Sequence, residues 1–157
     1  MEEFLLLPQK HAQISTDIIS RILANAYILF LKTQNFHWNV KAIHFKPMHM
    51  LFEEQYKQLL EICDNLAERI ATLGFRSPGS FQEFSKLTFI EENTKNLADI
   101  EMLKMLRKDY IQIIQYIRTN LDHIDNCRDE ASMSLLGEIL LKLEKNFWIL
   151  NSHLTEL

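Results

Sequence analysis

Chain breakers sit in so few places in this sequence that long helices are almost forced on it. Its 157 residues include 3 glycines and 3 prolines, and Gly74, Pro78 and Gly79 fall together in one interval. Before and after that interval, apolar residues recur at three- and four-residue steps, the period that gathers them on one face of an α-helix. Ile19, Ile22, Leu23, Ala26, Leu29 and Phe30 mark the first stripe. They predict a helix capped by the hydroxyl of Ser15 or Thr16 and running to residue 40 or 41, with 1–14 as an N-terminal extension. A second helix is expected over 47–73. Pro47 suits its first turn, where a missing N–H leaves nothing unsatisfied, and Gly74 suits the position just past its end. Residues 75–91 form the long interruption, inside which Ser80 and Glu83 have the spacing of a capping box and predict a short helix over 80–85. Leu97, Ile100, Met102 or Leu103, Leu106, Tyr110, Ile113, Ile114 and Ile117 give a third helix over 91–120. Leu135, Leu136, Ile139, Leu140, Leu143, Phe147 and Leu150 give a fourth over 131–154. The expected fold is an all-α four-helix bundle with a short helix in the long crossover between the second and third helices.

Composition narrows the class further. Apolar residues make up 47% and charged residues 24%, the balance of a folded globular chain, and 1–157 fits one domain. No apolar run approaches the ~18 residues of a membrane span, and 1–10 lacks the basic start and small-residue cleavage site of a signal peptide. Cytoplasm is therefore the expected compartment. A net charge of −4 and a pI near 5.9 give no general attraction to phosphate backbones. Lys10 is the one cation of residues 1–15, against Glu2 and Glu3. Cys63 and Cys127 are too few for a disulfide framework and lack metal-type spacing, so both are expected to be inert apolar residues.

The informative stretch is 36–69. His49 and Glu53 stand one turn apart, as do Asp64 and Glu68, and all four fall within an arc of roughly 100° on one helix. They share a side but not a place, since His49 and Glu68 are about 28 Å apart along the axis. An identical helix laid antiparallel across a two-fold axis near Gln58 and Leu59 removes that separation: His49 then faces Glu68 of the partner subunit, and Glu53 faces Asp64 of the partner subunit. Symmetry repeats the contact, giving two identical composite sites per dimer. Imidazole with carboxylates and no thiolate suits iron, manganese, zinc or cobalt rather than a closed structural zinc site. Carboxylates that bridge and change denticity favour Fe(II) in a redox role. The chain has no Glu followed three residues later by His, so the intrasubunit di-iron pattern of ordinary ferritins is not expected.

His37-Trp38-Asn39-Val40, then His49 and Glu53, and Asp64-Asn65-Leu66-Ala67-Glu68-Arg69 resemble the two signature segments of the Dps family, the miniferritins of the ferritin-like fold. The likeness extends from about Ile22 to the Leu73-Gly74 turn and, more loosely, to Lys145-Asn146-Phe147-Trp148. It implies a ferritin-like subunit, a homododecameric hollow shell built from two-fold dimers, and a ferroxidase centre for two ferrous ions between subunits. His37, His49 and Glu53 would come from one subunit, and Asp64 and Glu68 from its neighbour. Hydrogen peroxide is the implied oxidant, ferric iron the stored product, and zinc a competitor. Departures are Ala42 where the family usually has Gly, Met48 and Cys63 in place of aliphatics, and Glu53 where many members have Asp, which keeps the carboxylate and adds a methylene of reach. Trp38 is an auxiliary candidate as a radical quencher, with simple packing the plainer reading. Asp122, Asp125 and Asp129 lie in a polar stretch, 122–130, whose family counterpart lines an iron-entry pore; a solvated loop is the competing reading. Family members that compact DNA do so through a lysine-rich arm, which this chain lacks. A DNA-compacting protein of the same fold and a helical oligomer with incidental metal residues are the rival functions.

Overall fold

Helix α1, Gln9–Asn39, is the longest element of the computed structural model, which describes residues 6–154. It starts earlier than expected. The Pro8 carbonyl accepts the His11 and Ala12 N–H groups at 2.8 and 3.0 Å, and Ala12 continues the buried stripe. Residues 9–14 of the anticipated extension are thus helix, and Ser15 and Thr16 are buried within it rather than capping it. Glu2, Glu3 and residues 155–157 lie outside the described residues. By length and composition α1 also qualifies as a membrane span, although no uninterrupted apolar run in the sequence reaches that length. Yet 72% of the qualifying stretch is buried against its own bundle, so its apolarity is used by the core.

Helix α2, Phe45–Thr72, packs antiparallel to α1. It ends as predicted at Gly74, whose φ of 88° is open to a residue without a Cβ. Gly74 N–H reaches the Ala71 carbonyl at 3.0 Å and Phe75 N–H the Ile70 carbonyl at 3.3 Å, the two bonds of a Schellman motif.

The short helix α3, Phe81–Leu87, opens on the predicted capping pair. Ser80 Oγ accepts the Glu83 N–H at 3.2 Å, while Glu83 Oε2 accepts Gly79 N–H and the Ser80 hydroxyl, each at 2.9 Å. Arg76, 2.5 Å from the other oxygen, and then those two donors draw the Glu83 pKa down to about 2. Asn25 fixes the rest of the crossover. Its buried Oδ1 accepts Thr88 Oγ1–H and Phe89 N–H at 2.9 Å and Ile90 N–H at 3.2 Å. Phe84 stacks on Tyr27 at 4.8 Å and Phe89 packs on Tyr116, so both pin the crossover to its own bundle, whereas Phe81 is 68% exposed.

Helix α4, Asp99–Asn126, begins later and ends later than expected. The Asn93 side chain bonds Lys95 N–H and C=O and thereby competes with helix formation before Ala98. At the other end the acidic stretch through Asn126 is helical, leaving only Cys127, Arg128 and Asp129 before α5, Glu130–Leu154. Ile100 is 42% exposed, but Met102, Leu103, Leu106, Tyr110, Ile113 and Ile117 form the buried side of α4 as read from sequence.

Two polar contacts cross this core. Lys32 Nζ on α1 donates to Asp109 Oδ2 on α4 at 2.6 Å, with both side chains buried. Burial pushes the Asp109 carboxyl above its ordinary range even with the ammonium beside it. Asn146 Nδ2 on α5 donates to Gln58 Oε1 at 2.7 Å and to Tyr110 Oη at 3.1 Å. Lys32→Met should destabilise the bundle by about 3–5 kcal/mol, because a buried carboxylate loses its partner. The double variant Lys32→Met/Asp109→Leu should recover most of that loss. Denaturant midpoints of the two variants and wild type measure the difference.

Candidate metal centre

The antiparallel packing of α1 on α2 brings His37, in the last turn of one helix, against His49, near the start of the next. Their rings stack with centroids 3.7 Å apart at 22°. Each ring is tied to the other's backbone: His37 Nδ1 lies 2.8 Å from the His49 carbonyl, and His49 Nδ1 lies 2.8 Å from the His37 carbonyl. A carbonyl oxygen only accepts, so Nδ1 of each ring carries a proton and Nε2 is the ring atom left to face a metal. This is the outer-shell arrangement that fixes a metal-binding histidine's tautomer and ring plane. Phe45 stacks on His49 at 5.0 Å and Tyr56 meets His37 edge-on at 5.2 Å, extending the pair to a column of four rings. Neither aromatic was singled out from sequence, although both stand at helical spacing from His49, four residues before it and seven after. Trp38 is 64% exposed on its own chain.

Glu53 follows His49 by one turn and is half-exposed. Its Oε1 accepts from Lys57 Nζ at 2.5 Å. That hydrogen bond, then the Lys57 charge, holds the Glu53 pKa below its ordinary value, and His37 and His49 add smaller pulls in the same direction. The carboxylate is therefore within electrostatic reach of both imidazoles while bonded to a lysine that sequence reading overlooked. The signal was present: Glu followed four residues later by Lys is the favoured helical ion pair.

Asp64 and Glu68 are exposed, further along the same helix and more than ~20 Å from His49. Asp64 borders a groove of about 730 Å³ lined with apolar groups that include Leu23, Tyr27, Leu60 and Phe81. Leu60 is 48% exposed at the point where the expected two-fold axis crosses α2. Among the described residues no three His, Cys, Asp or Glu side chains of one chain converge as a metal site. One chain brings His37 and His49 together with Glu53 beside them and leaves Asp64 and Glu68 apart.

Asp122 and Asp125 are exposed on the last turns of α4, but Asp129 departs from the pore expectation. It is buried, its Oδ1 accepting Arg69 Nη2–H at 2.6 Å and Ser132 N–H at 3.0 Å, so it caps α5 and ties the end of α2 to the α4–α5 turn. Burial pushes its pKa up, but hydrogen bonding from Ser132, with the Arg69 charge beside it, outweighs that and leaves it below the ordinary value. An Asp just before a helix with Ser three residues on is an N-cap signal that the acidic composition of the stretch masked. Arg128, at φ 55°, turns the chain there. Cys63 is buried, and burial, with Asp64 adding to it, lifts its thiol to about 12, so it is inert as expected.

The chain matches the ferritin-like domain over residues 16–157. It is 32% identical over 139 residues to the DNA protection during starvation protein of Helicobacter pylori, covering 88% of this chain and 96% of that one. It is 30% identical over 137 residues to antigen TpF1 of Treponema pallidum, covering 84% and 75%. Among solved structures, a DPS protein from Vibrio cholerae O1, described as a member of a broad superfamily of ferritin-like diiron-carboxylate proteins, superposes with a TM-score of 0.91 at 29% identity, covering 95% and 94%. A Dps protein from Bacillus brevis superposes at 0.89 with 29% identity, covering 93% and 98%.

The Asp129 contacts carry a pH signature. A carboxylate whose folded pKa is depressed adds stability that is present above its unfolded value and lost as pH falls through the folded one. Asp129→Asn should therefore be less stable than wild type at pH 7, and the gap between them should close below roughly pH 4. Unfolding midpoints collected from pH 7 to pH 3 test this.

Proposed function

Because the chain belongs to the Dps family of ferritin-like proteins, we propose that it oxidises Fe(II), with hydrogen peroxide as preferred oxidant, at centres shared between subunits of a cytoplasmic homododecamer. The ferric product is stored in the cavity, and the cell is protected from oxidative damage. The observation that carries this reading is the reciprocal bonding of His37 and His49, which presents two Nε2 atoms beside a carboxylate on a site that one chain leaves incomplete.

Each half-centre takes its nitrogen donors from His37 and His49 and a carboxylate from Glu53. Asp64 and Glu68 of the partner subunit complete it. The exposed apolar groove beside Asp64 supports such a pairing, since Leu60 and Phe81 gain by being covered. Ferrous iron is the substrate, two ions per centre, each giving one electron. Peroxide takes both electrons with two protons and leaves as two waters, so no hydroxyl radical is released by a one-electron step. The donor set also suits Zn(II), which should compete. Asp122 and Asp125, exposed and acidic, are proposed to line an iron-entry pore in the shell, where repeated negative charge concentrates cations.

A DNA-compacting role is the second reading, favoured by the names of relatives such as that of H. pylori. The net charge of −4 gives no general attraction to a phosphate backbone. Tight, salt-sensitive retardation of DNA in a gel would overturn that assignment.

Anaerobic loading with Fe(II) followed by peroxide should give fast growth of ferric absorbance in wild type. His37→Ala, His49→Ala and Glu68→Ala should each abolish it with assembled mass unchanged by light scattering; equal rates would leave only a helical oligomer with incidental metal residues. Random co-assembly of His49→Ala with Glu68→Ala chains should restore about a quarter of the fast phase, because half of the dimers are mixed and each mixed dimer keeps one intact centre.

A further inference from the structure

Lys57 stands on α2 between two carboxylates one turn away on either side, Glu53 before it and Glu61 after it. It bonds the first at 2.5 Å, while Glu61 faces Lys142 across a longer 3.3 Å contact. Glu ahead of Lys at this spacing is the better-oriented pair on a helix, so the resting ammonium belongs on Glu53. Glu53 is the carboxylate that the half-centre assigns to iron. The same oxygen therefore has two claimants, a lysine that is already there and a divalent cation. The Lys57 side chain is 63% exposed and long enough to swing, and it borders the groove that Glu61 and Asp64 also line.

We propose that Lys57 is a displaceable counter-ion of the His37–His49–Glu53 half-centre: it occupies Glu53 until a divalent metal arrives and then transfers to Glu61. This rests on the metal-binding reading given above. The neighbouring ammonium lowers the affinity of the half-centre. An exposed ion pair is weak, so displacing it costs little, but an ammonium beside the site repels a second positive charge. A half-centre guarded in this way holds metal poorly until Asp64 and Glu68 of the partner subunit add their charge. The lysine thus couples loading to assembly.

The test is an anaerobic titration of the assembled protein with Co(II), read by its visible absorbance. Lys57→Met, which keeps the length of the stem and removes the charge, should tighten Co(II) binding about three- to tenfold, and Lys57→Arg should bind as wild type does. Glu61→Gln, which removes the landing place, should weaken binding about two- to threefold. Light scattering on each variant confirms equal assembly. An unchanged or weaker affinity in Lys57→Met overturns the role of Lys57 and leaves the centre standing. Absence of Co(II) binding by wild type overturns the centre itself, and the lysine's role with it.

Discussion

An α-helix advances about 1.5 Å per residue, and that rise decides where chemistry can occur in this chain. His49 and Glu68 share a face of α2 yet are too far apart to hold one ion. What a single chain accomplishes is local: the antiparallel corner between α1 and α2 places two imidazoles in contact and fixes their protons, with Glu53 one turn further along. In the proposed centre the remaining ligands come from a partner subunit by symmetry. The bundle serves this division by leaving one face of α2 uncovered.

The charges inside the bundle follow the same logic. Lys32 and Asp109 cross between α1 and α4, Asn146 joins α5 to α2 and α4, and Arg69 ties the end of α2 to Asp129. Each contact links α2, or the helix it packs on, to a neighbour at a different height. Buried polar contacts of this kind add little net stability but penalise sliding, because a shift of one turn would strand a charge or an amide away from water.

Much of this was legible in the sequence. Apolar periodicity gave the helices and their buried faces, Gly74 gave the end of α2, and Ser80 with Glu83 gave the start of α3. Mirror spacing gave the composite centre as a proposal that needs two chains to complete. What escaped notice depended on partners remote in the sequence. Lys32 meets a residue 77 positions away, and Asn25 meets donors 63 to 65 positions away. Nothing local distinguishes a lysine that will be buried from one that will be solvated. Helix ends were misplaced where a side chain decided them, as with Asn93 delaying α4, or where composition misled, as with the acidic stretch that continues α4 and hides the cap at Asp129.

The paired imidazoles have one more property. Each is a stitch between the end of α1 and the start of α2 and, in the proposed centre, also a donor to the cargo. A cation drawing electron density from Nε2 makes the opposite N–H more acidic and its bond to the neighbouring carbonyl stronger, so filling the site stiffens the corner that builds it. By reciprocity, whatever loosens that corner loosens its grip on the cargo, and heat resistance and loading rise and fall together.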